Sequence, residues 1–211
     1  KPAARAPRRV NPSAGDTGGG FAARAFNAPA PRRCGPDGPD ASPIASSGGV
    51  SNAEGMKAPE AIVELLARAD VDTVFTLASE EIIPLLSEME DERGDEFRVV
   101  HCRHEQGAAA MADGYARYAE GIGVCVVGRG PAIAQTGTSL VAASNYGSDV
   151  LYLVPETRRT TANDGKGFGQ GTFLETMVGE VDSIRSASVL LPRLADAIRR
   201  IRAGQGPIAV Q

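Results

Sequence analysis

The sequence predicts an α/β protein: a doubly wound parallel sheet with helices on both faces, preceded by a disordered leader. Three observations predict this class. From Met56 onward, short apolar runs of strand length alternate with segments whose apolar residues recur at helical spacing. The run IGVCVVG, residues 122–128, is nearly continuous in apolar residues, as in a strand covered on both faces. An alternation of this kind joins parallel neighbours through helical crossovers, so the strands should share one sheet.

Residues 1–55 stand apart. KPAARAPRRVNPSAGDTGGG and APAPRRCGPDGPDASPIASSGGVSN are rich in Pro, Gly, Ala, Arg and Ser and keep no apolar period. Such a segment buries too little surface to offset its ordering entropy, and disorder is expected. It reads as a leader ahead of a functional start at Met56, as an Arg-rich transit peptide, or as a nucleic-acid-binding arm; the first is preferred. Residues 56–211 form the expected folded domain.

In APEAIVELLARA (58–69), Pro59 lies near a helix start and Ile62, Leu65, Leu66 and Ala69 share a face. VDTVFTL (71–77) is a strand. SEEIIPLLSEMEDE (79–92) is a helix that Ser79 can cap, with Glu80 and Glu81 at its positive end and Pro84 in its first turns. FRVVHC (97–102) is a strand and RHEQGAAAMADGYAR (103–117) the next helix. After the strand at 122–128 come a helix over about 131–146 and the strand VLYLV (150–154). The loop PETRRTTANDGKGFGQG (155–171) is long for a compact domain, and long loops are often functional. A short helix near 173–178, a weak strand near 183–188, a helix over 191–203 and the strand PIAV (207–210) complete the chain. No internal repeat occurs.

Composition excludes several classes. The 211 residues are 42% hydrophobic, enough for a real core, and the net charge of −4 gives no overall attraction to nucleic acid or an anionic membrane. Trp is absent and aromatics are 5%, which speaks against a surface that stacks single-stranded bases. Cys34, Cys102 and Cys125 are odd in number and form no CxxC, so a reducing, cytoplasmic setting is expected. Neither a secretory h-region nor a run of about 18 apolar residues occurs, so no membrane association is expected.

In open parallel sheets, ligands bind beyond the carboxyl ends of the strands. TLASEE (76–81), CRHEQG (102–107) and GRGPAIAQTG (128–137) all leave strands there. Each has a plain structural reading. Glu105 suits the first turn of a helix, His104 can cap it, and GRGP can be a tight turn. Counting from Gly128, the sixth position is Ile133, so the dinucleotide fingerprint fails. Gly165-Lys166 lacks the Ser or Thr of a phosphate loop, and no HExxH, Cys/His cluster or GxSxG is present. No metal ligands are expected in this chain.

Taken together, RHEQGAAAMADGYAR and the following GVCVVGRGP resemble the pyrimidine-binding (PYR) domain of thiamine diphosphate enzymes, the group of acetolactate synthase, benzoylformate decarboxylase and oxalyl-CoA decarboxylase. ELLARADVDTVF resembles the family's first helix and strand, and GQGTFLET and GQGPIAV its late loop and final strand. The likeness covers about 56–211. It implies the thiamine diphosphate-binding fold and a 2-keto acid decarboxylase or carboligase.

In the family, the glutamate matching Glu105 contacts N1′ of the cofactor's aminopyrimidine. It favours the imino tautomer, whose 4′-nitrogen takes the proton from thiazolium C2 to give the ylid. The resemblance likewise puts the turn at Gly130 and Pro131, with Gln135, near the cofactor. His104, Gln106 and Ser79 are the expected substrate-pocket residues. Gly107, Ala108 and Ala109 fit a helix pressed closely against the sheet or a partner. There are departures from the family pattern. Ala132 and Gln135 stand in the family's GPG-Ala-Thr-Asn turn, Thr76–Ser79 replaces its Gly-x-Pro-Gly turn, and Leu174 replaces the glutamine of Phe-Gln-Glu. They speak against classical acetolactate synthase activity and leave Glu105 untouched.

The family's diphosphate-binding (PP) domain carries Gly-Asp-Gly and later asparagines that hold Mg2+. No GDG occurs here; NDGKG at 163–167 is the nearest string. The resemblance therefore implies half a site, with thiamine diphosphate and Mg2+ completed by a PP domain in a longer polypeptide, the preferred case, or by a β subunit. A homo-oligomer, dimer or tetramer, is expected. The alternatives are a separate α subunit of a sulfopyruvate- or phosphonopyruvate-type decarboxylase, or a non-catalytic module of the same fold.

Overall fold

The computed structural model describes residues 56–119, 121–156 and 165–211. The expected leader, Cys34, and the part of the long loop that includes Asn163 lie outside the described residues.

The element order is α1 (Ala58–Arg68), β1 (Thr73–Leu77), α2 (Ile83–Ser87), β2 (Arg98–His101), α3 (Glu105–Tyr118), β3 (Gly123–Val127), α4 (Pro131–Ala134), α5 (Gly137–Tyr146), β4 (Val150–Leu153), α6 (Gln170–Val178), β5 (Val181–Asp182), α7 (Ala187–Arg200) and β6 (Ile208–Val210). The strands form one six-stranded sheet in the order β2-β1-β3-β4-β6-β5. Every neighbouring pair is parallel. The chain winds outward from β1 to β2, then returns past β1 to β3. The topological switch point therefore lies between β1 and β3, where open α/β sheets take their ligands.

Successive strand residues face opposite ways, and each face has its own core. Val74, Val124, Val126, Leu151, Leu153 and Ile208 pack with Val63 and Leu66 of α1, Leu85 of α2 and Leu194 of α7. Phe75, Cys125, Val127, Val150, Tyr152 and Ala209 pack with Ala108, Ala109 and Ala112 of α3, Leu140 of α5 and Leu174 of α6. The fold is thus the doubly wound parallel sheet that the alternation predicts. Among the described residues no helix is long and apolar enough to cross a membrane.

Four sequence expectations need correction. The helix over 131–146 is two, because Thr136 is fully buried and its hydroxyl donates to the Ile133 carbonyl at 2.6 Å, breaking the ladder between α4 and α5. The weak strand lies at Val181–Asp182 rather than 183–188. There, Val181 and Asp182 pair with Ala209 and Val210, while Ile184 turns into the core and α7 starts at Ala187. The pairing reaches only as far as the Ile184 amide, which donates to the Gln211 carbonyl at 2.7 Å, before the chain turns into α7. The helix expected over 191–203 starts earlier, at Ala187, and ends at Arg200, and a wide turn over Ile201–Gln205 follows, closed by Gly204 at φ 75°. Ser79 does not cap α2 with its side chain; the helix starts at Ile83, and the Ser79 carbonyl accepts from the Ile82 and Ile83 amides.

The approach of α3 to the sheet is the tightest fit that bears on the site. Ala108, Ala109 and Ala112 are fully buried, and a Cβ on Gly123 would stand 2.0 Å from the Ala112 carbonyl oxygen. A methyl there has no room unless α3 moves. Gly123→Ala is expected to destabilise the fold by about 1–3 kcal/mol or more, read as a lower midpoint in urea. An unchanged midpoint would show that α3 is free to shift.

Candidate functional site at the sheet edge

The parallel register brings the strand ends together. Thr76 pairs with His101 and also with Val126, so the chain leaves β1, β2 and β3 side by side. The Cys102 amide donates to the Thr76 carbonyl at 2.7 Å, holding TLAS and CRHE against each other for one more step. A Cβ on Gly128 would meet the Ser79 hydroxyl at 2.5 Å, so the segments after β1 and β3 also touch. The three junctions singled out in the sequence share one edge.

His104 is the N-cap of α3, and its Nδ1 accepts the Gln106 amide at 3.2 Å. Glu105 is the first helical residue, and 19% of its side chain is exposed. That same His104 Nδ1 lies 4.0 Å from the Glu105 carboxylate, beyond hydrogen-bond reach. A ring nitrogen that accepts an amide hydrogen cannot also donate to the carboxylate. Glu105 is thus a shielded acceptor at the sheet edge with no donor spent on it from the described residues. The Gln106 carbonyl accepts from the Ser139 hydroxyl at 3.1 Å, tying the first turn of α3 to α5. The Gln106 and His104 side chains are exposed.

The turn after β3 is backbone-built. Gly130 has φ 66° and ψ −122°, a conformation that needs glycine. Pro131 opens α4, exposed, and Gln135 closes it, also exposed. Gly130 donates its amide to the buried Gln170 carboxamide oxygen at 2.9 Å. A Cβ on Gly130 would fall 2.1 Å from the Lys166 carbonyl oxygen. Thus the long loop, at Lys166, packs against the turn.

The structure also assembles a cluster that sequence reading left as helix-end charges. Glu81 accepts from Lys166 Nζ at 2.6 Å, and Arg129 Nε lies 3.2 Å from the same oxygen. The Lys166 ammonium, foremost, with the Glu81 amide, holds this carboxyl far below the usual range, at about 2. The Ser79 hydroxyl stands close enough to favour the charge, yet it is buried without a well-formed hydrogen bond. The sequence signal was present in Arg129 and Lys166, but Lys166 is 85 residues from Glu81 and only the fold joins them. On the same side of the sheet, a cleft of about 750 Å³ opens between α1, α2 and α7, lined by Ile62, Ile82, Leu85, Leu190 and Leu194. Glu105, Gly130, Pro131 and Gln135 do not line it.

The sequence and the fold both have counterparts. Residues 56–180 match the family described as thiamine pyrophosphate enzyme, N-terminal TPP binding domain, and the chain belongs to that family. A probable 2-ketoarginine decarboxylase of Pseudomonas aeruginosa is 40% identical over 114 residues, covering 54% of this chain and 20% of that protein. A glyoxylate carboligase of Escherichia coli is 30% identical over 161 residues, covering 74% of this chain and 26% of that protein. The chain therefore spans about a fifth to a quarter of the length of these relatives. A thiamine diphosphate-dependent 4-hydroxybenzoylformate decarboxylase of Rhodococcus jostii superposes over 72% of this chain and 29% of its own, with a TM-score of 0.64 and 22% identity, and shares the fold.

The Glu81 cluster sets an acid limit. Its folded-state pKa lies below its ordinary value of 4.5, so its stabilisation is present above that value and is lost as pH falls towards about 2. Stability should decline across that window, and Glu81→Gln should flatten the decline. Identical acid profiles for the two proteins would remove the cluster from the account.

Proposed function

We propose that this chain is the pyrimidine-binding half of a thiamine diphosphate-dependent enzyme acting on a 2-keto acid by decarboxylation or carboligation. In this reading Glu105 is set against N1′ of the aminopyrimidine. The observation that carries the reading is the state of Glu105: a carboxylate at the head of α3, largely shielded, on the ligand-binding edge, and without a hydrogen-bond donor from the described residues.

The residues fit the group. The Glu105 carboxylate is partly shielded but still meets solvent, so a ligand with a donor can take the place of that water. The neighbouring turn is held in one shape by close packing, Gly128 against Ser79 and Gly130 against the Lys166 backbone. Thiamine diphosphate, when bound, supplies the nucleophilic carbon and electron sink that 2-keto acid chemistry requires. This chain's part is to hold and share a proton at Glu105, to orient the ring through the turn at Gly130 and Pro131 with Gln135 alongside, and to border the substrate with His104, Gln106 and Ser79. The names of the relatives, a 2-ketoarginine decarboxylase and a glyoxylate carboligase, support the substrate class and both reaction types.

The diphosphate and Mg2+ belong elsewhere in this reading. Among the described residues no group of three or more His, Cys, Asp or Glu is placed to hold a metal. A diphosphate-binding domain, in the same polypeptide or in a β subunit, would complete the site, within a homo-oligomer. The relatives are several times longer than the matched region, which supports the first arrangement. A half-site also accounts for an edge that is open at His104 and Gln106. The cytoplasm suits the free thiols of Cys102 and Cys125.

Glu105→Gln keeps the shape and removes the shared proton. In the native assembly, release of carbon dioxide from a 2-keto acid should fall by roughly 10²–10⁴-fold. A rate within about twofold of the wild type would overturn the assignment.

A further inference from the structure

Gln170 is 3% exposed, and both its carboxamide oxygen and its nitrogen are hydrogen-bonded within the protein. Its Oε1 accepts the Gly130 amide at 2.9 Å, and its Nε2 donates to the Pro155 carbonyl and to Gln211 Oε1, each at 3.0 Å. The orientation of the carboxamide is unambiguous. An amide N–H needs an acceptor and a carbonyl needs a donor, so a flipped group would face like with like at both Gly130 and Pro155. One buried side chain at the head of α6 thus joins the segments that leave β3, β4 and β6.

The conformation it holds is not one the chain would keep by itself. Gly130 sits at φ 66° and ψ −122°, and its carbonyl accepts from the Ala134 amide at 3.2 Å, starting α4. Within the described residues, the Gly130 amide has Gln170 as its hydrogen-bond acceptor. Lys166 closes the other side of the turn with its backbone. Removing the Gln170 carboxamide would orphan a buried amide in a turn with a wide choice of glycine conformations, and the turn would sample them.

We infer that Gln170 is the positioning residue of the turn at Gly130 and Pro131, fixing the surface on which the cofactor ring rests. It acts through the Gly130 amide and does not itself touch the cofactor. This rests on the reading of the turn as cofactor-facing given above. It assigns to the GQG string after the long loop a role that is invisible in sequence, since Gly130 and Gln170 are 40 residues apart.

The test uses the native assembly that contains this chain, with thiamine diphosphate and Mg2+ as the probe. Two variants are compared. Gln170→Met keeps the length and removes every hydrogen bond. Gln170→Glu, kept protonated by its burial, keeps an acceptor opposite Gly130 and one donor towards Pro155 and Gln211. Two quantities are read on the folded fraction: hydrogen exchange of the Gly130 amide without cofactor, and cofactor affinity. For Gln170→Met, Gly130 exchange should rise about tenfold and cofactor affinity should fall about tenfold, the scale of one lost hydrogen bond. Gln170→Glu should keep more of both. A role confined to fold stability would lower the melting temperature and leave cofactor affinity of the folded fraction unchanged.

Unchanged exchange at Gly130 in Gln170→Met overturns the inference. So does faster exchange with unchanged affinity, or an equal loss in both variants. If Gln170→Met does not fold, Gln170→Asn, one methylene too short to reach the Gly130 amide, replaces it, and wild-type exchange and affinity in that variant overturn the inference. A wild-type assembly that binds no thiamine diphosphate overturns the cofactor reading itself, and this inference with it. Wild-type binding that Gln170→Met leaves unaltered overturns this inference alone.

Discussion

The close seating of α3 on the central strands governs the rest of the structure. The helix presents Ala108, Ala109 and Ala112 to the sheet, all fully buried, and β3 meets it with Gly123. Larger residues at any of these positions would push the helix outward. Because the helix cannot lift, its first residue is fixed relative to the strand ends, and that residue is Glu105. The composition of RHEQGAAAMADGYAR has two parts with two tasks: small residues that lower the helix onto the sheet, and a polar head that then stands at the carboxyl ends of the strands. A surface helix has no use for the first part, and a core helix has no use for the second.

The rest of the edge is built by the same economy. Parallel register delivers TLAS, CRHE and GRGP to adjacent positions, and glycine at 128 and 130 lets the third segment lie against the first and under Lys166. Two of the cations that flank this region converge on one carboxylate. Arg129 and Lys166 meet Glu81, on the face of the sheet that carries α1, α2 and α7. Glu105 lies at the head of α3, which covers the opposite face. The separation keeps the nearby cations off the carboxylate whose availability the proposed chemistry needs, since a close cation would hold it ionised and occupied.

Much of this was legible from residue order. The continuous apolar run at 122–128 announced a strand buried on both faces, and the structure makes it the central strand β3. His104-Glu105-Gln106 announced a helix head after a strand, and α3 starts there. What failed was local and has physical causes. Thr136 looks like a helix residue until its burial turns its hydroxyl back onto Ile133. The weak strand expected near 183–188 lies earlier, because the edge of β6 is taken by Val181 and Asp182 and the chain enters α7 at Ala187. Ser79 has the chemistry of a cap, yet its hydroxyl is pressed under Gly128 instead. The Glu81 cluster and the Gln170 clamp could not be read at all. Each joins residues from separate crossovers, and sequence spacing carries no information about which loops will meet.

The central claim is that the Glu105 carboxylate engages the ring nitrogen of a bound aminopyrimidine. It is tested most directly by nitrogen-15 magnetic resonance of thiamine diphosphate labelled at N1′, bound to the native assembly. The account predicts a resonance displaced well away from that of free cofactor with the wild type, and one returned close to the free position with glutamine at residue 105. A bound resonance that is the same in both proteins would contradict it.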